Sequence, residues 1–467
     1  MRRAAVAAVI AAAALASGCG GDGDEDAGGG GGDGASQSGQ TITVWTNEFQ
    51  PDRLATTKDI LADFTTESGI KTKLVPVPED QFSTLITNAA AAGDIPDVVM
   101  ATSLQDSHAY AAQGVFDADA AQAVVERLGT GTFSEKALEL VSTDGVATGV
   151  PSTGWGQLLI YRRDLFEEAG LQAPETLEDV TAAAEELDGE GMAGITLATA
   201  PGDGFTAETF EHVALAMGCR LIDEEGTVMF TSPECVESLR YYADLANNYS
   251  VSGAQDVDST RGTYFAGRAA MMFWSPFLLD GMAGLRDDTK PSCRQCKGNP
   301  GFLAKNSGLV GPIAGPSGEP SQFGQIATFN IGVETNTEAA QQLVEFMMTD
   351  GYVRWMGLSP QGNYPVRLGS EETPTEFAEA WAELESGVDR KAPLSDFYSE
   401  ESIASLREGV ESFQRWGFGE GQGALIGALG GEQPLANAVA EVIAGKDPAE
   451  AAAEAQAQIE EIQTSVE

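Results

Sequence analysis

Apolar and polar positions in the first part of the globular chain follow two different periods. Residues 41–48 (TITVWTNE), 70–78 (IKTKLVPVP) and 94–102 (DIPDVVMAT) have the pattern of buried strands. Between them, 51–69 and 80–93 place apolar residues on one helical face, and each stretch ends at a glycine. Strands that alternate with helices predict an α/β fold with a parallel sheet. We therefore expect a ligand site at the carboxyl ends of these strands.

The amino terminus has the pattern of a targeting peptide. Two arginines precede an apolar stretch at 4–15, which is shorter than the roughly 20 residues that span a bilayer and is typical of a signal peptide. Small residues at 16–18 lead directly into Cys19. This resembles the bacterial lipobox, although Ala16 stands where that motif usually has leucine. We expect 1–18 to be a lipoprotein signal peptide and Cys19 to carry the acyl chains, palmitate among them; an ordinary secretory signal with an accidental cysteine is the alternative.

Residues 19–40 are rich in glycine, aspartate and serine and show no hydrophobic period. Such a composition predicts a flexible linker with a reach of about 25 Å. Two acyl chains at Cys19 would hold the chain stably at a membrane. The sequence therefore predicts a globular part that is lipid-anchored at the extracytoplasmic face of the bacterial cell membrane.

Composition excludes several classes of partner. The chain has 71 acidic and 26 basic residues and a formal net charge of −45, so it offers no basic face to nucleic acid. The same balance argues against a polybasic lipid-binding surface, which leaves the anchor as the sole expected membrane contact. More than four hundred residues follow the linker, too many for one core, and they are suited to two lobes.

Four cysteines remain after Cys19, an even number that suits an oxidising compartment. The segment between Cys219 and Cys235 reads as a hairpin followed by a helix start at Ser-Pro, which would bring these two thiols together. Cys293 and Cys296 form a CRQC sequence that suits a redox pair, half of a zinc site or a small structural disulfide. We favour the disulfide, because no second Cys/His pair accompanies the sequence.

Five segments, in this order along the chain, resemble the family 1 extracellular solute-binding proteins, the lipoprotein receptors of ABC-type sugar importers. They are GDIPDVVMA at 93–101, GVPSTGWGQLLIYRRDLFEEAGL at 149–171, FAGRAAMMFWSPF at 265–277, GQIATFNIGVETNTEAAQQLVEFMMT at 324–349 and NYPVR at 363–367. The resemblance implies the periplasmic-binding-protein-like fold: two α/β lobes, each with a mostly parallel sheet flanked by helices, and a ligand cleft between them.

On this resemblance, lobe 1 comprises 41–150 and receives 324–360. Lobe 2 comprises 151–323, and much of 361–467 packs on it as helices. Crossing segments between lobes are expected near residues 149 to 152, 321 to 326 and 359 to 366, where Gly, Pro and Ser are frequent. A hinge of a few such residues lets the cleft close on a solute.

The family mostly takes carbohydrates, whose apolar ring faces suit tryptophan and whose hydroxyls suit carboxylates and amides. Strand ends, crossovers and the segments that line the pocket in the family then nominate the ligand-binding residues. These are Trp45, Glu48, Ser103, Gln105, Thr153, Trp155, Trp274, Asn363 and Trp416. Asp106 is a further polar candidate.

The resemblance implies a monomeric binder of a mono- or oligosaccharide that delivers it to an importer permease. A polyamine, peptide or metal-chelate receptor and a sensor partner of the same fold are the alternatives. A secreted glycoside hydrolase is more remote, since no catalytic arrangement distinguishes itself among the 71 acids. We expect no enzymatic activity, metal or cofactor: the two histidines lack ligand spacing, and the glycines at 417–423 follow no strand of a βαβ unit.

Overall fold

The structure is a computed structural model that describes residues 39–316 and 319–466. The predicted signal peptide, Cys19 and almost all of the predicted linker lie outside the described residues. The strands are β1 Thr41–Thr46, β2 Lys71–Pro76, β3 Val98–Thr102, β4 Ser142–Thr143, β5 Val146–Ala147, β6 Val150–Gly156, β7 Leu158–Arg162, β8 Ala193–Thr196, β9 Ala269–Trp274, β10 Ser307–Val310, β11 Gln322–Ile331, β12 Tyr364–Pro365, β13 Glu385–Ser386, β14 Ala392–Pro393 and β15 Phe413–Gln414.

Helices cover both sides of the sheets. They are α1 Pro51–Ser68, α2 Glu79–Ala92, α3 Leu104–Ala112, α4 Ala118–Leu128, α5 Glu135–Val141, α6 Arg163–Ala169, α7 Leu177–Leu187, α8 Gly204–Ala216, α9 Pro233–Tyr249, α10 Val257–Phe265, α11 Leu279–Met282, α12 Phe302–Lys305, α13 Thr337–Met347, α14 Tyr352–Met356, α15 Glu376–Ala382, α16 Glu400–Glu408, α17 Gly423–Leu429, α18 Pro434–Ile443 and α19 Pro448–Val466. Among the helices described, none combines the length and hydrophobicity needed to cross a membrane.

The larger of two main sheets has the order β12-β6-β11-β3-β1-β2, and β15 pairs with β11. Strands β1, β2 and β3 run parallel, as predicted from the alternating pattern. Strand β11 runs antiparallel to both of its central neighbours, β3 and β6. The second sheet has the order β10-β7-β9-β8, in which only the β8–β9 pair is parallel.

Both sheets are therefore mixed, which corrects the expectation of mostly parallel lobes. The βαβ pattern at 41–102 extends to neither β11 nor the strands of the second sheet. Strand β11 returns from the second sheet and enters the first one between β3 and β6, where it runs against both. Such a reversal leaves no hydrophobic period in the sequence, because direction is set by the connection and not by the strand's own residues.

The chain changes sheet at Gln157, the single residue between β6 and β7. Residues 150–156 pair in the larger sheet, so the boundary expected at 150 falls at the start of β6, before the change of sheet. The return occurs between Val310 and Gln322. The carboxyl-terminal helices contact both halves: α17 packs closely on α3, with Gly427 against Ala109, whereas α18 and α19 pack on α9.

Local sequence signals account for several element ends. Helices α1 and α2 end at Gly69 and Gly93, both in the left-handed conformation that glycine adopts without a Cβ penalty. Helix α9 begins after Ser232, whose side chain accepts a hydrogen bond from the Cys235 amide. The predicted disulfide between Cys219 and Cys235 is present.

The CRQC pair, Cys293 and Cys296, also forms a disulfide. Both of these cysteines are buried. Among the described residues, no group of three or more His, Cys, Asp or Glu side chains is arranged to hold a metal ion.

Candidate functional site

A cleft of about 620 Å³ lies between the two main sheets. Its first wall comes from the carboxyl ends of β1 and β3 and from the central strands β6 and β11. The second wall comes from β9, from helices α8 and α10, and from the segment that follows β9. This volume falls within the range of about 300–1,000 Å³ that is typical of small-molecule sites. We call this cavity the first cavity.

Six of the nine nominated ligand-binding residues line the first cavity. They are Glu48, Ser103, Thr153, Trp155, Trp274 and Asn363. Gln105 and Trp416 line a second cavity of about 230 Å³ beside it. Asp106 lines both.

Trp45 lines neither cavity, which corrects its placement. Successive side chains of a strand point to opposite faces. Ile42 and Val44 of β1 belong to the main core, whereas Trp45 packs on the other face with a small cluster that includes Val99. Val75 and Val99 are its neighbours in the adjacent strands. Trp45 lies near the carboxyl end of β1, as expected, but its side chain is on the face of the sheet that packs against the small cluster.

The two tryptophans of the first cavity differ in burial. Trp274 is 6% exposed, its indole nitrogen donates to the Val257 carbonyl at 3.2 Å, and its ring lies 5.8 Å from that of Phe205. Trp155 is half-buried and meets Phe277 edge-on at 6.1 Å. Trp155 therefore exposes more of its ring to a ligand. Trp274 lines the cavity but is mostly buried in the core.

Trp416 is a core residue at the edge of the second cavity. It is 4% exposed, its indole nitrogen donates to the Cys219 carbonyl at 2.8 Å, and its ring packs against Phe210 and Phe230. Because these contacts hold the ring in the core, it offers little surface to a ligand in the second cavity.

The polar candidates are held by their neighbours. Ser103 caps α3, and its hydroxyl donates to the Asp106 carboxylate at 2.8 Å. Burial raises the pKa of Asp106, and this hydrogen bond opposes the rise. The Thr153 hydroxyl donates to the Asn363 side-chain oxygen at 3.4 Å. These side chains therefore reach the cavity already oriented.

Sequence reasoning missed the arginines of the first cavity. Arg53, in the first turn of α1, pairs with Glu48 at 2.5 Å and donates to the Ser359 hydroxyl at 3.1 Å. Arg261 lies over the Trp274 ring at 5.9 Å. Arginine over an aromatic face is a favourable cation–π arrangement.

The third arginine, Arg286, binds Asp288 through two hydrogen bonds of 3.0 and 2.8 Å. These bonds lower the pKa of Asp288 to about 2. Arg286 also lies 3.6 Å from the buried Asp280 carboxylate. Burial raises the pKa of Asp280, and the arginine opposes this rise. The sequence signal available was the adjacent R-D-D at 286–288, which does not by itself indicate a cleft.

Three polar atoms in the first wall are buried and have no hydrogen-bond partner within the described residues. They are Asn47 Oδ1, Gln50 Oε1 and Thr102 Oγ1, and their residues line the first cavity. A buried polar atom without a partner costs free energy. A hydroxyl or amine donor of a bound molecule that reached these atoms would offset that cost.

Backbone strain occurs at the same wall. Ala101, at the end of β3, has a φ of 61°, which is uncommon for a residue with a Cβ. The register of the neighbouring β11 shifts between Thr328 and Phe329, opposite this point. The Ala101 carbonyl accepts a hydrogen bond from Asn47 Nδ2 at 3.3 Å. Strained residues of this kind cluster at ligand sites.

Comparison with known proteins gives a consistent result. The bacterial extracellular solute-binding protein family matches residues 50–354. A putative ABC transporter periplasmic-binding protein of Escherichia coli K12, YcjN, is 30% identical over 339 residues, which cover 70% of this chain and 73% of that protein. A mannitol-binding protein of Pseudomonas aeruginosa is 30% identical over 119 residues, or 24% of this chain and 27% of that protein.

Solved structures share the fold. The GacH receptor of Streptomyces glaucescens, determined unliganded and with acarbose, superposes with a TM-score of 0.69 and 19% identity over 91% of this chain and 98% of that chain. Maltose-bound MalE3 of T. maritima superposes with a TM-score of 0.67 and 19% identity, over 90% of this chain and 99% of that chain. The family match and the E. coli relative, taken with the interlobe cleft, show that the chain belongs to the bacterial extracellular solute-binding proteins, the solute-binding components of ABC transporters.

Proposed function

We propose that the chain binds a neutral carbohydrate in the first cavity and delivers it to the permease of an ABC importer. The observation that carries this proposal is the combination of aromatic surface with unpaired acceptors. Trp155 and Phe277 offer apolar faces to sugar C–H groups. Asn47 and Gln50 hold side-chain oxygens without partners in the described structure, which suit hydroxyl donors.

The distribution of charge favours a neutral solute. Arg53 and Arg286 are paired with carboxylates of the same cavity, and Arg261 is paired with Asp258, so the three arginines present little net positive charge to an anion. Carboxylate and guanidinium groups fixed by each other still accept from and donate to hydroxyls. The similar structures contain polyhydroxylated ligands, acarbose and maltose among them, which agrees with this chemistry.

Isothermal titration calorimetry after a thermal-shift screen tests the proposal. The screen should contain monosaccharides, oligosaccharides and polyols, with putrescine, a tripeptide and an iron chelate as the competing classes. A sugar should raise the melting temperature and bind with an affinity that changes little between 20 mM and 500 mM salt, since a neutral ligand has no charge to screen. Binding of putrescine alone, weakening steeply with salt, would overturn the carbohydrate assignment and support the polyamine receptor.

We further propose that Cys19 anchors the protein as a monomer to the extracytoplasmic face of the membrane and that 19–40 tether it there. A tether raises the effective concentration of the binder at the permease without a new contact. In a bacterial host, Cys19→Ser should appear in the medium or remain unprocessed, whereas a Ser17→Ala control should stay in the membrane fraction. Retention of the Cys19→Ser protein with its leader removed would contradict the anchor.

Closure is proposed to occur about the segments in which the chain changes sheet. The backbone of Gln157 is fixed to β11 by two hydrogen bonds. Its backbone N–H donates to the Phe323 carbonyl at 2.9 Å, and its backbone carbonyl accepts from Gln322 Nε2 at 2.9 Å. The two parts of the protein that are built on the two main sheets would then rotate around this point. Small-angle scattering with and without the sugar should show a smaller radius of gyration in the bound form.

A further inference from the structure

A long connection between two helices forms part of the second wall of the first cavity. Residues 283–301 join α11 to α12, and within this range the structure has no strand and no helix beyond one turn of 3₁₀ helix at Gln295–Lys297. We call residues 283–301 the connecting segment. Three of its side chains, Arg286, Asp288 and Thr289, line the first cavity. Connections longer than about 12–15 residues without regular structure are uncommon in compact domains and are usually functional.

The connecting segment has little apolar surface with which to hold its shape. Between Arg286 and Pro300, the buried residues are Pro291, Cys293 and Cys296, and the last two form a disulfide bridge. A segment with few buried contacts opens locally at a low cost in free energy. The bridge therefore supplies most of what is buried in this part of the wall.

The bridge is attached to a helix that also lines the first cavity. The backbone N–H groups of Ser292 and Cys293 both donate to the Phe265 carbonyl, at 2.8 and 2.9 Å. Phe265 is the last residue of α10 and lines the first cavity, as does Arg261 one turn earlier. These hydrogen bonds fix the bridged part of the connecting segment to the end of α10.

Two glycines allow the connecting segment to lie close to its neighbours. Gly267 has a φ of 69°, and a Cβ there would lie 2.9 Å from Cys293 Cβ, closer than the roughly 3.5–4.0 Å of a favourable carbon contact. At Gly281 of α11, a Cβ would lie 3.1 Å from the Thr289 carbonyl oxygen. Thr289, which lines the cavity, is therefore held between two closely packed points, α11 on one side and the bridge at Cys293 on the other.

The two disulfide bridges of the described residues close loops of different size. The Cys219–Cys235 bridge has a sequence separation of 16, and the Cys293–Cys296 bridge has one of 3. The loop entropy that a bridge removes from the unfolded chain increases with loop length. The shorter bridge therefore contributes less to global stability, and its main effect is on the local conformation of the connecting segment.

We propose that the Cys293–Cys296 bridge is a positioning element of the solute site. By keeping the connecting segment on α10, it holds Arg286, Asp288 and Thr289 in the cavity wall before a solute arrives. Without the bridge, binding itself would have to order this segment, and the free-energy cost of ordering a loop reduces the affinity. The proposal rests on the first cavity being the solute site, and it does not depend on which solute binds there.

Removal of each bridge in turn tests the proposal. The test variant carries Cys293→Ala and Cys296→Ala, and the control carries Cys219→Ala and Cys235→Ala. All four cysteines are buried, and neither cysteine of the control lines the first cavity. In calorimetry with maltose, mannitol and putrescine, the test variant should bind about tenfold more weakly than the parent. The control should keep the parent's affinity, although it should lose more in melting temperature because its loop is longer.

Hydrogen exchange in the absence of a solute measures the order of the connecting segment directly. In the parent, the amides of Ser292 and Cys293 are hydrogen-bonded to the Phe265 carbonyl and should exchange slowly. In the test variant, the amides of residues 284–292 should exchange about tenfold faster. In the control they should exchange at the parent's rate.

A second pair of variants disturbs the packing of the bridge and leaves both disulfides in place. Gly267→Ala puts a Cβ against Cys293, whereas Gly170→Ala puts one in open space. The two glycines have φ values of 69° and 72°, so the backbone strain of the two substitutions is matched. Gly267→Ala should weaken binding of the same compounds about fivefold and speed exchange at residues 284–293. Gly170→Ala should do neither.

Three results would overturn the proposal. Exchange at the parent's rate in the test variant would show that the connecting segment is ordered without the bridge. Faster exchange with unchanged affinity for a compound that binds the parent would show that this order does not serve binding. An equal loss of affinity in the Cys219 and Cys235 control would show that the effect is one of global stability.

Failure of the proposed carbohydrate function is a separate outcome. If neither maltose nor mannitol binds the parent and putrescine does, the carbohydrate proposal fails and putrescine becomes the probe for the bridge. If none of the three compounds binds, the exchange comparison decides. Faster exchange in both the test variant and Gly267→Ala then supports the positioning role, and exchange at the parent's rate refutes it.

Discussion

The two tryptophans of the first cavity should respond differently to truncation. Trp155 is half-buried, and a sugar face stacked on it would remove about 80–100 Å² of apolar surface from water, which is worth about 2 kcal/mol at roughly 25 cal/mol per Å². Trp155→Ala should therefore weaken sugar binding about thirtyfold, since 1.4 kcal/mol is a factor of ten. Its contacts with Phe277 and Phe323 make a loss of stability certain, but a smaller one than for a fully buried ring.

Trp274 should instead act mainly on stability. It is 6% exposed and packs against Phe205, and truncation of a buried tryptophan costs about 3–5 kcal/mol. The change also leaves the Val257 carbonyl without its indole donor, which adds about 1 kcal/mol. Trp274→Phe keeps an aromatic ring and should lose only part of this stability.

Urea unfolding and calorimetry on the same samples separate the two effects. The control is Trp355→Ala, because Trp355 is 2% exposed, packs on Phe329 and lines neither the first nor the second cavity. It should lose stability and keep affinity. Unchanged affinity in Trp155→Ala, or unchanged stability in Trp274→Ala, would refute the burial argument.

Three further changes act through the fold. Arg415→Met leaves Glu211 charged and buried and should cost about 3–5 kcal/mol by urea unfolding, with Glu211→Gln in the same chain recovering part of it. Replacing Cys219 and Cys235 by serine opens a bridge with a sequence separation of 16 and should cost about 3 kcal/mol against the oxidised parent. Burial lowers the pKa of His212 to about 3, below its unfolded value near 6.5, so its contribution is present above pH 6.5 and is lost on acidification. The free energy of unfolding should fall by about 2 kcal/mol between pH 7 and pH 5 through this residue. His212→Gln should therefore make the free energy of unfolding depend less steeply on pH in that range.

Local signals in the sequence predicted local structure well. The carboxyl-terminal ends of α1 and α2, at glycines, and the start of α9, at Ser-Pro, are each determined by residues within one helical turn. The Cys219–Cys235 bridge follows from a turn of a few residues, in which the Met229 amide donates to the Leu221 carbonyl. Each of these predictions depended on neighbours in the chain and on nothing distant.

The walls of the first cavity were predicted from two signals, strand ends and segments that resemble the family. Glu48 and Ser103 were nominated from strand ends, Trp155 and Trp274 from segments that line the pocket in the family, and all four line the first cavity. Trp45 was misplaced because its position at a strand end did not decide which face its side chain takes. Arg53 and Arg286 were missed because their role depends on carboxylates that the fold brings to them, and nothing in a run of charged residues distinguishes a cleft from a solvated surface.

Charge distribution decides more about the ligand than total charge does. A formal net charge of −45 would suggest a receptor for cations if acids were spread evenly over the cleft. In the structure, Glu48 and Asp288 in the first cavity and Glu211 in the second are each held by an arginine. A cation would have to compete with a fixed guanidinium at each of these positions, whereas a hydroxyl can bind either member of a pair without displacing the other. Paired charges at these three positions therefore agree with the neutral, hydroxyl-rich ligand proposed above.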